Sequence, residues 1–358
     1  MKQPFDIEQV NVMSWMRFPL IIGVVMAHCN LYALVETWEG ISPEWPEWIV
    51  YIFKYLYWIV LPARVPTLFI ISGYFFFRSR ENRGVHFFAE KFRRRIHSLL
   101  IPYIVWNAVA ILVMYLRYNI VEGCNYSVTD YLSGFWSSTI NNNGLPANAP
   151  LWFMRNLMVV SLLSPVIHYL LKEKWGLITI AAAAFCYIKN IEIPVDGINI
   201  EALLFFSVGA YIAIHKIDIT AIPNHIGITT LLLYIPVQLL MNHYYNNAEY
   251  VYAIGLLASI IKVTAVFYLV SLLFKKNIIR PTIFLSKMSF TLYALHGIII
   301  GPIIMVLYRL SGNTDNPIAL LGIYIATPLI IITVTYILYS ILTKHTPKIA
   351  GIVTGNRG

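Results

Sequence analysis

Long runs of apolar residues, separated by short polar stretches, occur along the whole chain. Ten runs are candidate transmembrane helices, and most approach the roughly 20 residues that cross a hydrocarbon core of about 30 Å. The runs at 175–189 and 198–214 are shorter. This pattern predicts an all-α polytopic membrane protein. Its candidate spans are 13–34, 60–77, 99–118, 151–171, 175–189, 198–214, 224–243, 250–274, 284–308 and 317–342.

The polar stretches alternate in charge. Residues 35–47 contain four Glu and no Lys or Arg, and residues 119–150 also lack Lys and Arg, whereas residues 78–98 contain seven Lys and Arg. Basic residues accumulate in the cytoplasmic loops of membrane proteins. The alternation therefore predicts an even number of spans, with both termini in the cytoplasm.

Composition supports a membrane protein and limits the kinds of partner that we expect. Hydrophobic residues make up 58% of the 358 residues and charged residues only 12%, unlike a soluble domain. The formal net charge is +9, but the basic residues lie between the spans, so we expect membrane lipids and no nucleic acid as partners. Cys29, Cys124 and Cys186 lack metal-ligand spacing, and no metal is expected. Free thiols are favoured, and a disulfide between Cys29 and Cys124 is the alternative.

The first run contains two ionisable residues, Arg17 and His28. Eleven steps of about 100° return His28 to nearly the helix face of Arg17, about 16 Å along the axis. Ionisable groups in membrane helices usually face a bundle interior or a water-filled cavity. We interpret this run as a retained helix, not a signal peptide, with the cation near the inner side and the imidazole in the outer half. A histidine hydrogen-bonded within the bundle is the alternative for His28.

The predicted orientation places three further ionisable residues at the depth of His28, namely Arg64, Arg155 and Glu201. One interpretation is a shared outward-facing cavity. The alternative is that both arginines extend to the surface and Glu201 caps a helix. The coincidence of four groups at one depth favours the cavity.

Other polar or small residues interrupt the apolar runs, and each has a structural and a functional explanation. Ser72 precedes Gly73, where close helix packing is the simplest explanation, and Trp152 suits an interfacial anchor. Lys262 and His296 lie within their spans, either as hydrogen-bonding groups of the bundle or as site residues. The candidate substrate-binding residues are Arg64, Ser72, Trp152, Arg155, Glu201 and His296.

A basic segment precedes the third span. Its apolar residues recur at helical spacing, which predicts an amphipathic cytoplasmic helix at about 84–98. Its apolar stripe consists of Phe88, Phe92, Ile96 and Leu99. One interpretation is binding to anionic lipid headgroups, and the other is binding to the phosphates of a nucleotide-like donor. The candidate phosphate-binding residues are Arg78, Arg93, Arg94 and Arg95.

Six stretches resemble, in this order, motifs of the acyltransferase-3 family of integral membrane acyltransferases. Together they cover most of the chain, from about residue 10 to 342, and their order and topology make a fairly specific match. They are Arg17 and His28 with ten residues between them, Leu68–Tyr74, Lys91–Tyr103, Leu151–Leu157, Phe205–Ala210 and Ser289–His296.

The resemblance implies an enzyme of the bacterial inner membrane that transfers an acyl group, usually acetyl from acetyl-CoA, to a hydroxyl of a cell-envelope glycan or glycolipid. On the matching positions, His28 would be the catalytic histidine and Arg17 its companion. The arginines at 93–95 would belong to the cytoplasmic region that binds the acyl-CoA. Two departures stand out: several members carry a fused extracytoplasmic hydrolase-like domain that these 358 residues do not contain, and Asn156 stands where Asp is frequent.

These observations lead to one favoured hypothesis and two rivals. We expect His28 to take the proton from an acceptor hydroxyl, with Arg64 or Arg155 stabilising negative charge. Direct transfer is favoured over an acyl-enzyme on Ser72, which has no evident base beside it. The main rival is a transporter or flippase for an anionic lipid-linked sugar, disfavoured by the lack of an internal repeat. A structural or regulatory subunit would leave the intramembrane ionisable groups unexplained.

Overall fold

The computed structural model describes residues 4–29, 47–48, 63–78, 83–140, 144–173, 175–244, 247, 249–313 and 316–355. The acidic loop at 35–47 thus lies almost wholly outside the described residues. Within them, every regular element is a helix, as the sequence predicts. The α-helices are α1 (Pro4–His28), α2 (Arg64–Phe77), α3 (Val85–Arg95), α4 (Ile101–Tyr115), α5 (Val128–Ser133), α6 (Trp152–Leu162), α7 (Ser164–Leu171), α8 (Gly176–Ile188), α9 (Ile200–Ile214), α10 (Asn224–His243), α11 (Val251–Lys275), α12 (Ile283–Leu310), α13 (Pro317–His345) and α14 (Pro347–Thr354).

Each predicted span coincides with a helix or a bent pair of helices in the described part of the chain. Six helical stretches there are long and apolar enough to cross a membrane. The pair α6 and α7 makes a seventh if it is taken as one span, and it bends by 61° just before Pro165, whose ring cannot continue the preceding helix. The helices α2, α8 and α9 are apolar but shorter. The multi-pass helical class is confirmed, while ten crossings and cytoplasmic termini stay predictions.

The predicted amphipathic helix at 84–98 corresponds to α3. It continues without a break, through a π-helical segment at Ile96–Leu100, into α4. Phe88 and Leu99 of the predicted stripe are buried, as is Phe87, whereas Ile96 is exposed. The difference arises because the regular 3.6-residue spacing ends where the π-helical segment begins.

The chain divides into two compact units. The first contains Met1–Arg17, Pro62–Ile96 and Phe153–Ser286, and the second contains the remaining segments from Phe18, His97 and Lys287 onward. Helix α1 contributes to both units, because its residues up to Arg17 belong to the first and those that follow belong to the second.

Close packing of α2 against α9 is central to the first unit. Gly73 lies directly against the carbonyl oxygen of Phe206, and Gly209 lies against that of Ile70. In both places a Cβ atom would overlap the facing backbone, so only glycine permits this approach. The packing explanation for Gly73 is thereby confirmed.

In the second unit, α4 is held to the C-terminal helix α14. The indole N–H of Trp106 donates to the carbonyl of Val353 at 3.0 Å. Gly355 ends α14 with a φ of 71° and lies against the carbonyl of Ser98. A positive φ favours glycine, so this residue allows the chain to turn while touching the start of the helical stretch that leads into α4.

Candidate functional site

Two imidazoles meet in the second unit. His28 is the last residue of α1, and His296 lies within α12. Their ring centroids are 5.3 Å apart and their planes are inclined at 46°. His28 is exposed, whereas His296 is completely buried. The structure therefore brings together two residues that the sequence places 268 positions apart, and which were predicted to have separate roles.

The surroundings of His296 define which of its nitrogens carries the proton. Nδ1 lies 3.3 Å from the carbonyl oxygen of Leu292, which only accepts hydrogen bonds, so Nδ1 donates. In the neutral ring Nε2 is then an acceptor. Among the described residues, Nε2 is buried and has no hydrogen-bond partner. The result is a buried lone pair beside the ring of His28.

The segment before α6 holds α12 in place next to this pair. The hydroxyl of Tyr293 donates to the carbonyl of Pro150, and the amide of Asn148 donates to the carbonyl of Ala294 at 2.9 Å. Gly297 lies against Asn148 and Pro150, and a Cβ there would overlap both side chains. Sequence reasoning missed Asn148, since nothing local distinguishes it from its polar neighbours in an Asn-rich loop.

Arg17 lies in the first unit, within a group of basic and aromatic side chains. Its guanidinium carbon is 4.7 Å from the ring centroid of Phe75, and that of Arg78 is 5.6 Å from the same ring. Lys91 and Arg95 lie over the ring of Phe76, at 5.5 Å and 5.4 Å. Arg17 and Arg95 also interact electrostatically. We call Arg17, Arg78, Lys91 and Arg95, with Phe75 and Phe76, the cation–aromatic cluster.

This cluster contains only part of the predicted phosphate-binding set. Arg78 and Arg95 belong to it, whereas Arg93 and Arg94 are exposed, and Arg94 pairs with Glu90 one turn earlier. Lys91 was not predicted. Its position four residues before Arg95 places both on one helix face, which was the available signal.

A second polar group in the first unit includes Arg64 and Glu201, two of the residues predicted to share a depth. Arg64 interacts electrostatically with Glu201 and with Lys262. Lys262 is 3% exposed and donates to Gln238, whose amide donates to Asn242 at 2.8 Å. The cavity shared by Arg64 and Glu201 with His28 and Arg155 stays a prediction.

The other predicted substrate-binding residues have varied environments. Arg155 and Asn156 on α6 are buried, at 5% and 3% exposure, and Trp152 and Ser72 are partly buried. Ser72 adjoins the glycine at the crossing of α2 and α9. Cys29, Cys124 and Cys186 are free thiols. Within the described residues, no three His, Cys, Asp or Glu side chains are grouped as metal ligands.

Comparison with known proteins identifies the family. An acyltransferase-domain family model matches residues 10–339. The succinoglycan biosynthesis protein ExoH of Rhizobium meliloti (strain 1021) is 24% identical over 363 residues, covering 96% of this chain and 91% of that protein. No solved structure matches significantly. Since the family model covers nearly the whole sequence, the chain belongs to the acyltransferase-3 family of membrane acyltransferases.

Proposed function

We propose that this protein transfers an acyl group, acetyl in the simplest case, from cytoplasmic acyl-CoA to a hydroxyl of a cell-envelope glycan or glycolipid in the bacterial inner membrane. Family membership supports acyl transfer. The relative's role in the biosynthesis of succinoglycan, a polysaccharide, supports a glycan acceptor. The several apolar helices support catalysis by a multi-pass membrane protein.

The position of His28 is the observation that carries this proposal. Its exposed ring at the end of α1 is accessible to an acceptor, and imidazole is the side chain best suited to accept a proton near neutral pH. His28 takes the hydroxyl proton as the oxygen attacks the thioester carbonyl. The C–O bond forms, the C–S bond breaks, and the departing thiolate takes the proton from His28 to give free CoA.

The cation–aromatic cluster suits the phosphates of the donor. Four cationic side chains are directed at two neighbouring rings, and their mutual repulsion falls when a polyanion binds between them. Arg17 joins the first-helix motif to this cluster, so we assign it to donor binding together with Arg78, Lys91 and Arg95.

Two arginines, one in the second predicted span and one in the fourth, are candidates for binding the acceptor. Arg64 and Arg155 are fixed cations within the apolar region, where low dielectric strengthens their effect on negative charge. We assign them to the developing oxyanion or to a phosphate of a lipid-linked acceptor. Glu201, Trp152 and Ser72 are assigned to contacts with that acceptor.

The test is a turnover assay with purified protein, labelled acyl-CoA thioesters and glycan acceptors, read by mass spectrometry of the product and by release of free CoA thiol. General-base catalysis contributes about 10²–10⁴-fold, so His28→Ala should lose at least 100-fold in turnover. His345→Ala, an exposed histidine at the end of α13, is the matched control and should retain full activity.

Two outcomes would contradict the proposal. Wild-type turnover by His28→Ala would exclude this histidine as the base. Movement of a lipid-linked sugar across vesicles without an acyl donor, and without free CoA, would identify a transporter instead.

A further inference from the structure

We propose that His296 is a positioning residue for His28, whose ring donates a hydrogen bond to Nε2 of His296 when His28 carries the proton of the acceptor hydroxyl. This inference rests on the proposed function, because it assumes that His28 is the base. His296 lies on α12, so the spacing of Arg17 and His28 on α1 gives no indication of its contribution.

The first argument concerns the orphaned acceptor. Leu292 fixes the proton of His296 on Nδ1 and leaves Nε2 as a buried lone pair without a partner among the described residues. A buried acceptor without a donor destabilises a protein. This cost is recovered if a neighbouring donor turns toward Nε2 of His296. The neighbouring donors therefore decide what this atom can bind.

The second argument concerns the neighbouring donors. Tyr293 lies beside His296, with ring centroids 6.0 Å apart, but its hydroxyl donates to Pro150. The amide of Asn148 donates to the carbonyl of Ala294. The ring of His28, 5.3 Å away between centroids, is a further neighbour, and its nitrogens lie at the ring edge. When one nitrogen of each ring lies on the line between the centroids, this separation brings the two nitrogens to about 3 Å, within hydrogen-bond range.

The third argument concerns the charge that develops in the reaction. Neutral imidazole has one N–H, but protonated imidazole has two. A neutral His28 that accepts the hydroxyl proton on one nitrogen carries its N–H on the other. The N–H that donates to Nε2 of His296 therefore becomes a charged donor once the proton has moved. Hydrogen bonds from a charged donor are about twice as strong as neutral ones. The contact therefore favours the protonated state of His28 over its resting state, as the third member of a catalytic triad does.

Two substitutions at one position separate this role from simple packing. Gln offers a side-chain oxygen as an acceptor, whereas Phe fills similar space without one. We expect His296→Phe to lower kcat about 30–100-fold, with KM within about twofold of wild type, and His296→Gln to recover at least fivefold of that loss. His28→Ala combined with His296→Phe should be no slower than His28→Ala alone, because both act on the same proton.

The control is Thr291→Val, which removes a completely buried hydroxyl from the same helix while preserving shape, and should retain wild-type kcat. Equal losses in the Gln and Phe variants, or wild-type kcat in His296→Phe, would overturn the inference. Thermal unfolding of each variant identifies any that fail to fold. Failure of the proposed function is a separate result, since then the wild-type protein itself gives no acylated product.

A chemical readout tests the contact without turnover. Diethyl pyrocarbonate modifies neutral imidazole, and mass spectrometry locates the modified histidine. At pH 6, His28 should react at least twofold faster in His296→Phe than in wild type, because its protonated form has lost an acceptor, and His296→Gln should reverse this. An unchanged rate in both variants would overturn the inference.

Discussion

Two hydrogen bonds in series link Lys262 of α11 to Gln238 and then to Asn242 of α10. They permit a quantitative prediction, because chemistry fixes the donor and the acceptor of each bond. Lys262 only donates, so the side-chain oxygen of Gln238 must face it, and the Gln238 amide must then donate to Asn242. Lys262 and Gln238 are 3% and 1% exposed. Removing one of them leaves the other buried without its hydrogen bond.

The structure indicates how far each substitution lowers the free energy of unfolding. Lys262→Met leaves a neutral oxygen without a donor but also removes the repulsion from Arg64, so we expect a cost of about 1 kcal/mol. Gln238→Leu leaves a buried ammonium without its acceptor, and we expect about 2–3 kcal/mol. The double variant removes both groups and should lie within about 1 kcal/mol of wild type. The implied coupling energy, the sum of the two single losses less the loss of the double variant, is about 2–4 kcal/mol. This is above the largest values for hydrogen bonds between membrane helices, because one partner is charged.

The assay is equilibrium unfolding in mixed micelles, followed by tryptophan fluorescence and analysed as a double-mutant cycle. Thr264→Val is the control, since Thr264 is a partly exposed residue of the same helix whose hydroxyl donates to the carbonyl of Ile260 one turn earlier. It should change the free energy of unfolding by less than about 0.5 kcal/mol. Additive losses in the double variant would refute the reasoning.

Two further predictions concern other regions. Arg95→Gln should raise KM for acyl-CoA at least fivefold with little change in kcat. Arg94 lies on the exposed face and pairs with Glu90, so Arg94→Gln should leave KM within twofold. Equal changes of KM in the two variants would contradict binding of acyl-CoA by the cation–aromatic cluster. In the 119–150 loop, the hydroxyl and backbone N–H of Ser127 hold the pKa of Asp130 below its usual value. The capping contact at the start of α5 thus contributes stability above the unfolded pKa of about 3.9, and loses it as pH falls through the lower folded value. Hydrogen exchange of this segment should show protection lost in acid, and at a higher pH in Ser127→Ala.

Local features of the sequence were sufficient for the elements of the fold. Runs of apolar residues predicted the helices, since a backbone in lipid must satisfy its hydrogen bonds internally and helices do so within one segment. The motif residues, taken in order, indicated the family that the comparison confirms. Gly73 in the second span indicated a close helix contact, because a residue without a side chain can be recognised in the sequence before the helix that packs against it is known.

The composition of the candidate sites depended on the tertiary structure. Arg93 and Arg94 look equivalent to Arg95 in the sequence, yet only Arg95 joins the cation–aromatic cluster, because a helix directs adjacent side chains about 100° apart. Helical spacing related Arg17 to His28 along α1, but no spacing relates His28 to His296. Which side chains meet across 268 residues depends on how separate helices pack, and apolar surfaces that are chemically alike do not encode that choice locally.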